Sequence, residues 1–246
     1  MNNKASLDSP TTVYKHREII DKKKILKSIY ISFYKELIKF VKLSKKDKVV
    51  ELGSGGGFFK KLYPKAITSD IVKAPGVDMK FKAENMPFKN SEVSFFYGLN
   101  VLHHIKDVAK AFEEIERCLK NEGKAIFVEP ANTPFSYFIY RFIHHENFDK
   151  TAGWKINSGG RLSGANAALP WIIFVRDKKI FQEKYKKLKV VNISLHTPFS
   201  YLLSGGLSKP QFLPTSWILY ITKIEQALGF LNNYFAMFMT VIIKKN

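Results

Sequence analysis

The chain has 246 residues, 46% of them hydrophobic and 25% charged, which excludes global disorder. That length suits one large domain, or one domain carrying a substantial insertion. Forty Lys and Arg against 21 Asp and Glu give a net charge of +19, which draws nucleic acid, anionic membranes or phosphorylated substrates unless the dispersed lysines are only a solvated face.

Residues 1–12 read as disordered, and the polar stretch Met1 to Pro10 lacks the apolar run of a signal peptide. From Val13 to Leu43, Ile19, Ile20, Ile25, Leu26, Ile29, Phe33 and Leu37 recur near a period of 3.6, which predicts one or two leading helices. Lys48 to Leu52 predicts a short buried strand that runs into Gly53-Ser54-Gly55-Gly56-Gly57 and then a helix from about Phe58. Further strands are expected at Ala66 to Ile71, Val77 to Phe81 and Val93 to Leu99. Val108 to Leu119 predicts an amphipathic helix stopped near Asn121-Glu122-Gly123, and Lys124 to Val128 a fifth strand. Cys118 lies in that helix and is expected as a small core residue. As the single cysteine it excludes an internal disulfide and fits a reducing compartment.

After Pro130 the pattern loses its periodicity. Residues 131–170 are rich in aromatics, Gly, Asn, Ser and His and read as an inserted cap or substrate loop. Regularity returns with a helix near Arg176 to Lys187, a strand near Val190 to Leu195, a helix from Thr215 to Leu231 and a last strand from Tyr234 to Ile243. The longest apolar runs, Ala167 to Val175 and Tyr234 to Ile243, are too short to span a bilayer, so a cytoplasmic protein is expected. The strand–helix alternation predicts an α/β fold with a mostly parallel sheet and helices on its faces.

Strand, glycine turn and helix form a nucleotide-site layout. Glycines allow a sharp turn and close backbone approach, and the helix start presents free N–H groups. The spacing then discriminates among ligands. A dinucleotide fingerprint would place its third glycine at position 58, which is Phe58, and the Gly-Lys-Ser/Thr of a P-loop is missing. Glu51, just before the turn, disfavours phosphate and suits a cationic ligand such as S-adenosylmethionine, which carries an ammonium and a sulfonium. Asp70 ends the second predicted strand, where a carboxylate can accept ribose hydroxyls; a turn-starting Asp is the plain alternative.

Val49-Val50-Glu51-Leu52-Gly53-Ser54-Gly55-Gly56-Gly57 resembles the first motif of the class I S-adenosylmethionine-dependent methyltransferases, in their small-molecule branch. Asp70 resembles that family's ribose-binding acid, Ala83-Glu84-Asn85-Met86-Pro87-Phe88 its adenine loop, and Asn100-Val101-Leu102-His103-His104-Ile105 the segment facing the methyl donor. The resemblance implies a Rossmann-like seven-stranded sheet. With the elements above, the chain is expected to divide into a helical extension over 1–44 and a methyltransferase domain over 45–246, with a substrate cap at 131–170 after the fifth strand. Carried over, it makes Glu51, Gly53, Ser54, Gly55, Gly57, Asp70, Ala83, Glu84 and Asn100 the cofactor residues. More weakly, the whole chain is similar to bacterial methyltransferases associated with surface-polysaccharide genes, through 144–149, 163–171 and 203–206. Lys82 stands where the family carries an Asp for the adenine amino group, and Ser94 where an Asp often opens the fourth strand.

Methyl transfer to a hydroxyl needs alignment and a group that removes a proton. His103, Glu129, His144 and His145 are the acid–base candidates, with Glu146 and Asp149 within reach in the insertion. Each histidine could instead be a satisfied structural group. His103 and His104 are expected to point in different directions, with His103 outward. No metal is expected, because His144-His145 lacks the helical spacing of a ligand pair. Phe135, Tyr137, Phe138, Tyr140, Phe142, Phe148 and Trp154 could floor a substrate pocket or pack a cap helix. The leading expectation is O-methylation of a sugar or related metabolite. A lipid-linked or quinone acceptor at a membrane surface and an RNA acceptor are the alternatives, and a non-enzymatic cofactor-binding protein comes last.

Overall fold

The computed structural model describes residues 8–39, 44, 46–56, 58–144 and 146–246. Gly57 and His145, both among the expected site residues, lie outside the described residues.

The elements run α1 (Thr11–Lys22), α2 (Lys24–Lys39), β1 (Val49–Leu52), α3 (Phe59–Leu62), β2 (Ile67–Asp70), β3 (Met79–Lys80), β4 (Val93–Leu99), α4 (Val108–Cys118) and β5 (Leu119–Pro130). There follow α5 (Pro134–Phe142), α6 (Leu169–Trp171), α7 (Lys178–Lys184), β6 (Leu188–His196), α8 (Ser200–Leu203), α9 (Ile218–Ala227), α10 (Asn232–Phe235) and β7 (Phe238–Lys245). One seven-stranded sheet has the order β3-β2-β1-β4-β5-β7-β6. β1 to β5 pair in parallel, and β7 runs antiparallel to both β5 and β6. The fold is therefore α/β and Rossmann-like, as expected.

Two cores follow from the period-2 alternation of side chains along buried strands. Val50, Leu52, Phe96, Ala125, Phe127, Val241 and Ile243 face α4, α6 and α7, whose Phe112, Ile115, Leu169 and Phe181 meet them. Their neighbours Val49, Tyr97, Leu99, Ile126, Val128 and Ile242 face α1, α2, α3 and α5. Ile25, Leu26, Ile29, Phe33 and Leu37 of α2 belong to this second core, so the leading helices lie directly on the sheet.

The irregular reading of 131–170 needs correction. Residues 134–142 form α5, begun by a capping box in which Thr133 and Ser136 exchange side-chain-to-backbone hydrogen bonds, with Pro134 in the first turn. Its period was hidden because apolar residues occupy most of its circumference. The final strand also starts later than expected, at Phe238. Tyr234 and Phe235 are strand-prone by type, but they form α10, where Phe235 packs on Phe135 at 5.7 Å between ring centroids. The long helix expected from Thr215 stops at Ala227, short of Gly229.

Candidate active site

Parallel strands bring their carboxyl ends to one sheet edge, where ligands of such folds bind. The register aligns Leu52 with Gly98 and Leu99 with Val128, so the Gly53 turn, Asn100 and Glu129 come together there. Gly53 has φ +65° and Gly55 φ +49°, a region costly to other residues. A Cβ on Gly53 would also lie 2.4 Å from Cγ2 of Val101. The turn is tied to β2: the Ser54 amide donates to the Ser69 carbonyl (2.8 Å), and the Ser69 amide donates to Ser54 Oγ (3.0 Å). The amides of Gly55 and Val72 donate to the two carboxylate oxygens of Asp70, at 3.0 and 3.1 Å.

A cavity of about 1200 Å³ opens at this edge. Of the expected cofactor residues, Gly53, Ser54, Gly55, Asp70, Ala83, Glu84 and Asn100 line it, and so does Lys82. Glu51 does not line it. It is buried behind the wall, hydrogen-bonded to the side chains of Ser54 and Tyr34. Burial pushes its carboxyl up to about 7 and nearby Asp70 adds to this, while those hydrogen bonds oppose it. Asn100 sits in the left-handed region at φ +52°, and its side chain bonds the Tyr30 hydroxyl. Sequence reasoning missed Tyr30 and Tyr34, which line the cavity from α2. Their i, i+4 spacing puts them on one helix face and was the available signal.

Four ionisable groups converge beside this wall. Glu129 lies within β5, not after it, and is fully buried. Its Oε1 accepts the amides of Val101 and Leu102, at 2.8 Å each, and its Oε2 meets His103 Nδ1 at 2.6 Å. That contact assigns the Nδ1–H tautomer to neutral His103 and leaves a lone pair on Nε2, which lies 3.6 Å from Glu146 Oε2. Burial opposes the imidazolium of His103. The charge and hydrogen bond of Glu129, with Glu146 adding, outweigh it and hold its pKa above the ordinary value.

The expected divergence of the two neighbouring histidines is corrected. Both line the cavity, their rings are 4.1 Å apart, and His103 is the more deeply buried. The tight turn Leu102–His104 brings the two rings together, tilted by 42°, where a strand would have sent them to opposite faces. His104 Nε2 is 3.9 Å from Glu146 Oε1. Burial and the neighbouring His103 push its pKa down to about 3, so it stays neutral. His144 also lines the cavity; its Nδ1 accepts the Glu146 amide at 3.3 Å, and its ring stands edge-on to Tyr140. Asp149 instead caps its own turn through Thr151. Among the described residues, His103, His104 and Glu146 offer ligating atoms all within 4.8 Å of one another, a grouping the sequence did not suggest.

Residues 50–127 match a protein-family profile described as a methyltransferase domain. Those residues form a methyltransferase domain, whose cofactor is S-adenosylmethionine. The matched span, 78 residues, carries the glycine turn, Asp70, the adenine-loop residues and His103. No curated protein sequence matches the chain. Among solved structures, the chain is similar to a geranyl diphosphate C-methyltransferase from Streptomyces coelicolor A3(2). That structure holds Mg2+, geranyl-S-thiolodiphosphate and S-adenosyl-L-homocysteine. The identity is 13% and the TM-score 0.54, over 87% of this chain and 76% of that one. A candidate methyltransferase from Bacillus halodurans C-125 aligns over 86% of this chain and 96% of its own, at 15% identity and TM-score 0.50. At these identities the likeness is one of fold.

The residues present fit the cofactor. The carbonyl oxygen Oδ1 of Asn100, a residue of the cavity wall, lacks a hydrogen-bond partner, so an acceptor stands in reserve at this edge. Asp70 keeps accepting capacity beyond its two amide bonds, because an ionised carboxylate has about four lone-pair sites. When bound, S-adenosylmethionine supplies a methyl group activated by a sulfonium. Among the described residues, no helix is long and apolar enough to cross a membrane.

Proposed function

We propose that the enzyme methylates a hydroxyl oxygen of a small molecule, a sugar or related metabolite, with His103 as the base. The observation that carries this reading is the buried His103–Glu129 contact at 2.6 Å on the wall that also holds the glycine turn. In this reading Nε2 of His103 takes the acceptor's proton as the oxygen attacks the methyl group. Glu129 keeps the ring oriented and stabilises the imidazolium that forms. His104, neutral at working pH, packs against the base, and Glu146 faces Nε2 on the acceptor side. Gly53, Ser54, Gly55, Asp70, Ala83, Glu84 and Asn100 hold the cofactor, with Glu51 supporting the turn from behind. The buried, reduced Cys118 is consistent with a cytoplasmic setting.

A second reading draws support from the rest of the wall. Away from the glycine turn the cavity is bounded by Ile139, Ile143, Tyr201, Leu202, Leu207 and Phe212. Those side chains gain nothing from a bare sugar's hydroxyls but would desolvate an apolar tail. A lipid-linked acceptor, presenting a hydroxyl to His103, uses both halves of the cavity.

The test is methyl transfer from labelled S-adenosylmethionine to nucleotide sugars, to lipid extracts and to RNA. Label in an alkali-stable ether on a sugar or lipid hydroxyl is expected. Label on carbon, or in RNA, would overturn the reading.

A further inference from the structure

A protein surface in water scatters its large apolar side chains singly. Residues 212–230 do not follow this. Phe212, Trp217, Leu219, Tyr220, Ile224 and Phe230 are each more than half exposed, Phe230 at 74%. In α9, ILYITKIEQA, only Ile221 is buried. This helix is apolar around most of its circumference yet lies at the surface, where such a helix is unstable unless something covers it.

The patch extends beyond that helix. α10 packs on α5 through the Phe135–Phe235 ring contact, and Phe199, just before α8, meets Phe135 as well. Phe138 and Phe142 follow Phe135 on the same α5 face, at i+3 and i+7, and are 53% and 69% exposed. Ile143, the next residue, is exposed and lines the cavity, and so does the exposed Phe212. The cavity mouth therefore opens within the apolar patch.

Cations border the same rim. Lys209 lines the cavity, the exposed Lys223 belongs to α9, and Lys23, next to the exposed Lys24, ties the α1–α2 corner to the loop at Gly206, 2.7 Å away. With +19 on the whole chain, a second copy would be repelled from this face. RNA would gain nothing from covering aliphatic side chains. A bilayer with anionic headgroups satisfies both features at once: apolar groups enter the acyl boundary, Trp and Tyr sit at headgroup level, and lysines meet phosphate. With no spanning helix among the described residues, the attachment would be interfacial.

We propose that residues 212–234 and the C-terminal end of α5 seat this enzyme on an anionic membrane surface, with the cavity mouth turned toward the lipid. The docking deepens the second reading of the acceptor, but it is measured without turnover.

The test is co-sedimentation of the full chain with vesicles of equimolar phosphatidylcholine and phosphatidylglycerol, against vesicles of phosphatidylcholine alone. Binding is expected only with the anionic lipid, and it should weaken as salt rises. The triple variant Trp217→Ser, Tyr220→Ser, Phe230→Ser should lower partitioning roughly tenfold or more, while S-adenosylhomocysteine binding and melting temperature stay unchanged. A blue shift of tryptophan emission on vesicle addition, absent in Trp217→Phe, is the second readout. Equal binding by the triple variant, or no vesicle binding by the wild type, overturns the proposal. So does concentration-dependent self-association removed by the triple variant without vesicle binding. A Glu129→Gln enzyme that still binds vesicles but transfers no methyl separates failure of the chemistry from failure of the docking.

Discussion

Glu129 Oε2 meets His103 Nδ1 at 2.6 Å, with the carboxylate fully buried in a strand and the imidazole on a turn that follows the neighbouring strand. The other carboxylate oxygen is occupied by two backbone amides of that turn. One acid thus fixes both where the turn sits and which nitrogen of His103 carries the proton.

Replacing the acid tests this directly. Glu129→Gln keeps the shape but removes the charge that stabilises the imidazolium. The expected outcome is a kcat roughly 100-fold lower, with S-adenosylhomocysteine affinity unchanged by calorimetry. An equal loss of cofactor affinity would mean that Glu129 serves only to hold the turn.

The pH profile carries the same sign. The base must be neutral, so kcat should rise with pH through the pKa of His103, which stands above its ordinary value mainly because Glu129 offsets the effect of burial. In Glu129→Gln the rise should move to lower pH. The stability linkage runs oppositely: the charged pair stabilises the fold below the unfolded histidine pKa, and that contribution is lost as pH rises through the folded value. A rate profile with the same inflection in both proteins would remove His103 from the proton path.

Glu51 makes a separate prediction about stability. Its folded pKa is about 7 against 4.5 for the free group. Between those values the unfolded chain ionises first, so the penalty for a buried carboxylate grows as pH rises and levels off above about 7. It reaches at most about 3 kcal/mol. The advantage of Glu51→Gln in melting temperature should therefore appear above pH 4.5, widen toward 7 and then stay constant. A pH-independent difference would show that Glu51 is not titrating in the fold.

Gly53→Ala should be damaging on two counts. Its φ of +65° costs an L-residue about 1–2 kcal/mol, and the new methyl would overlap Val101. A fall in melting temperature of about 5 °C is expected, together with weaker S-adenosylhomocysteine binding. A variant with wild-type stability and affinity would contradict the geometry of the turn.

The cluster of His103, His104 and Glu146 decides between base and metal chemistry. If Nε2 of His103 is the base, chelators leave methyl transfer unchanged, and zinc should inhibit by occupying the lone pair. Activity lost to a chelator and restored by a divalent ion would reassign the cluster as a metal centre.

Local sequence determined the glycine-turn side of the cavity. The order Glu51, Gly53, Gly55, then Asp70 at the next strand end, is read within a few residues, because turn geometry and strand ends are set by short-range sterics. The buried strand Val93 to Leu99 was legible for the same reason. The tertiary structure alone decided what lines the rest of the cavity. α5 was concealed because apolar residues occupy most of its circumference, and Phe235 lies in a helix where it meets Phe135. Tyr30 and Tyr34 reach the cavity only because α2 lies on the sheet. The His103–Glu129 pair joins positions 26 residues apart through adjacent strands, and the exposed aromatics of 212–230 look like core residues until their solvent exposure is seen. Such features depend on which surfaces meet across the sheet, and spacing along the chain does not encode that in any short window.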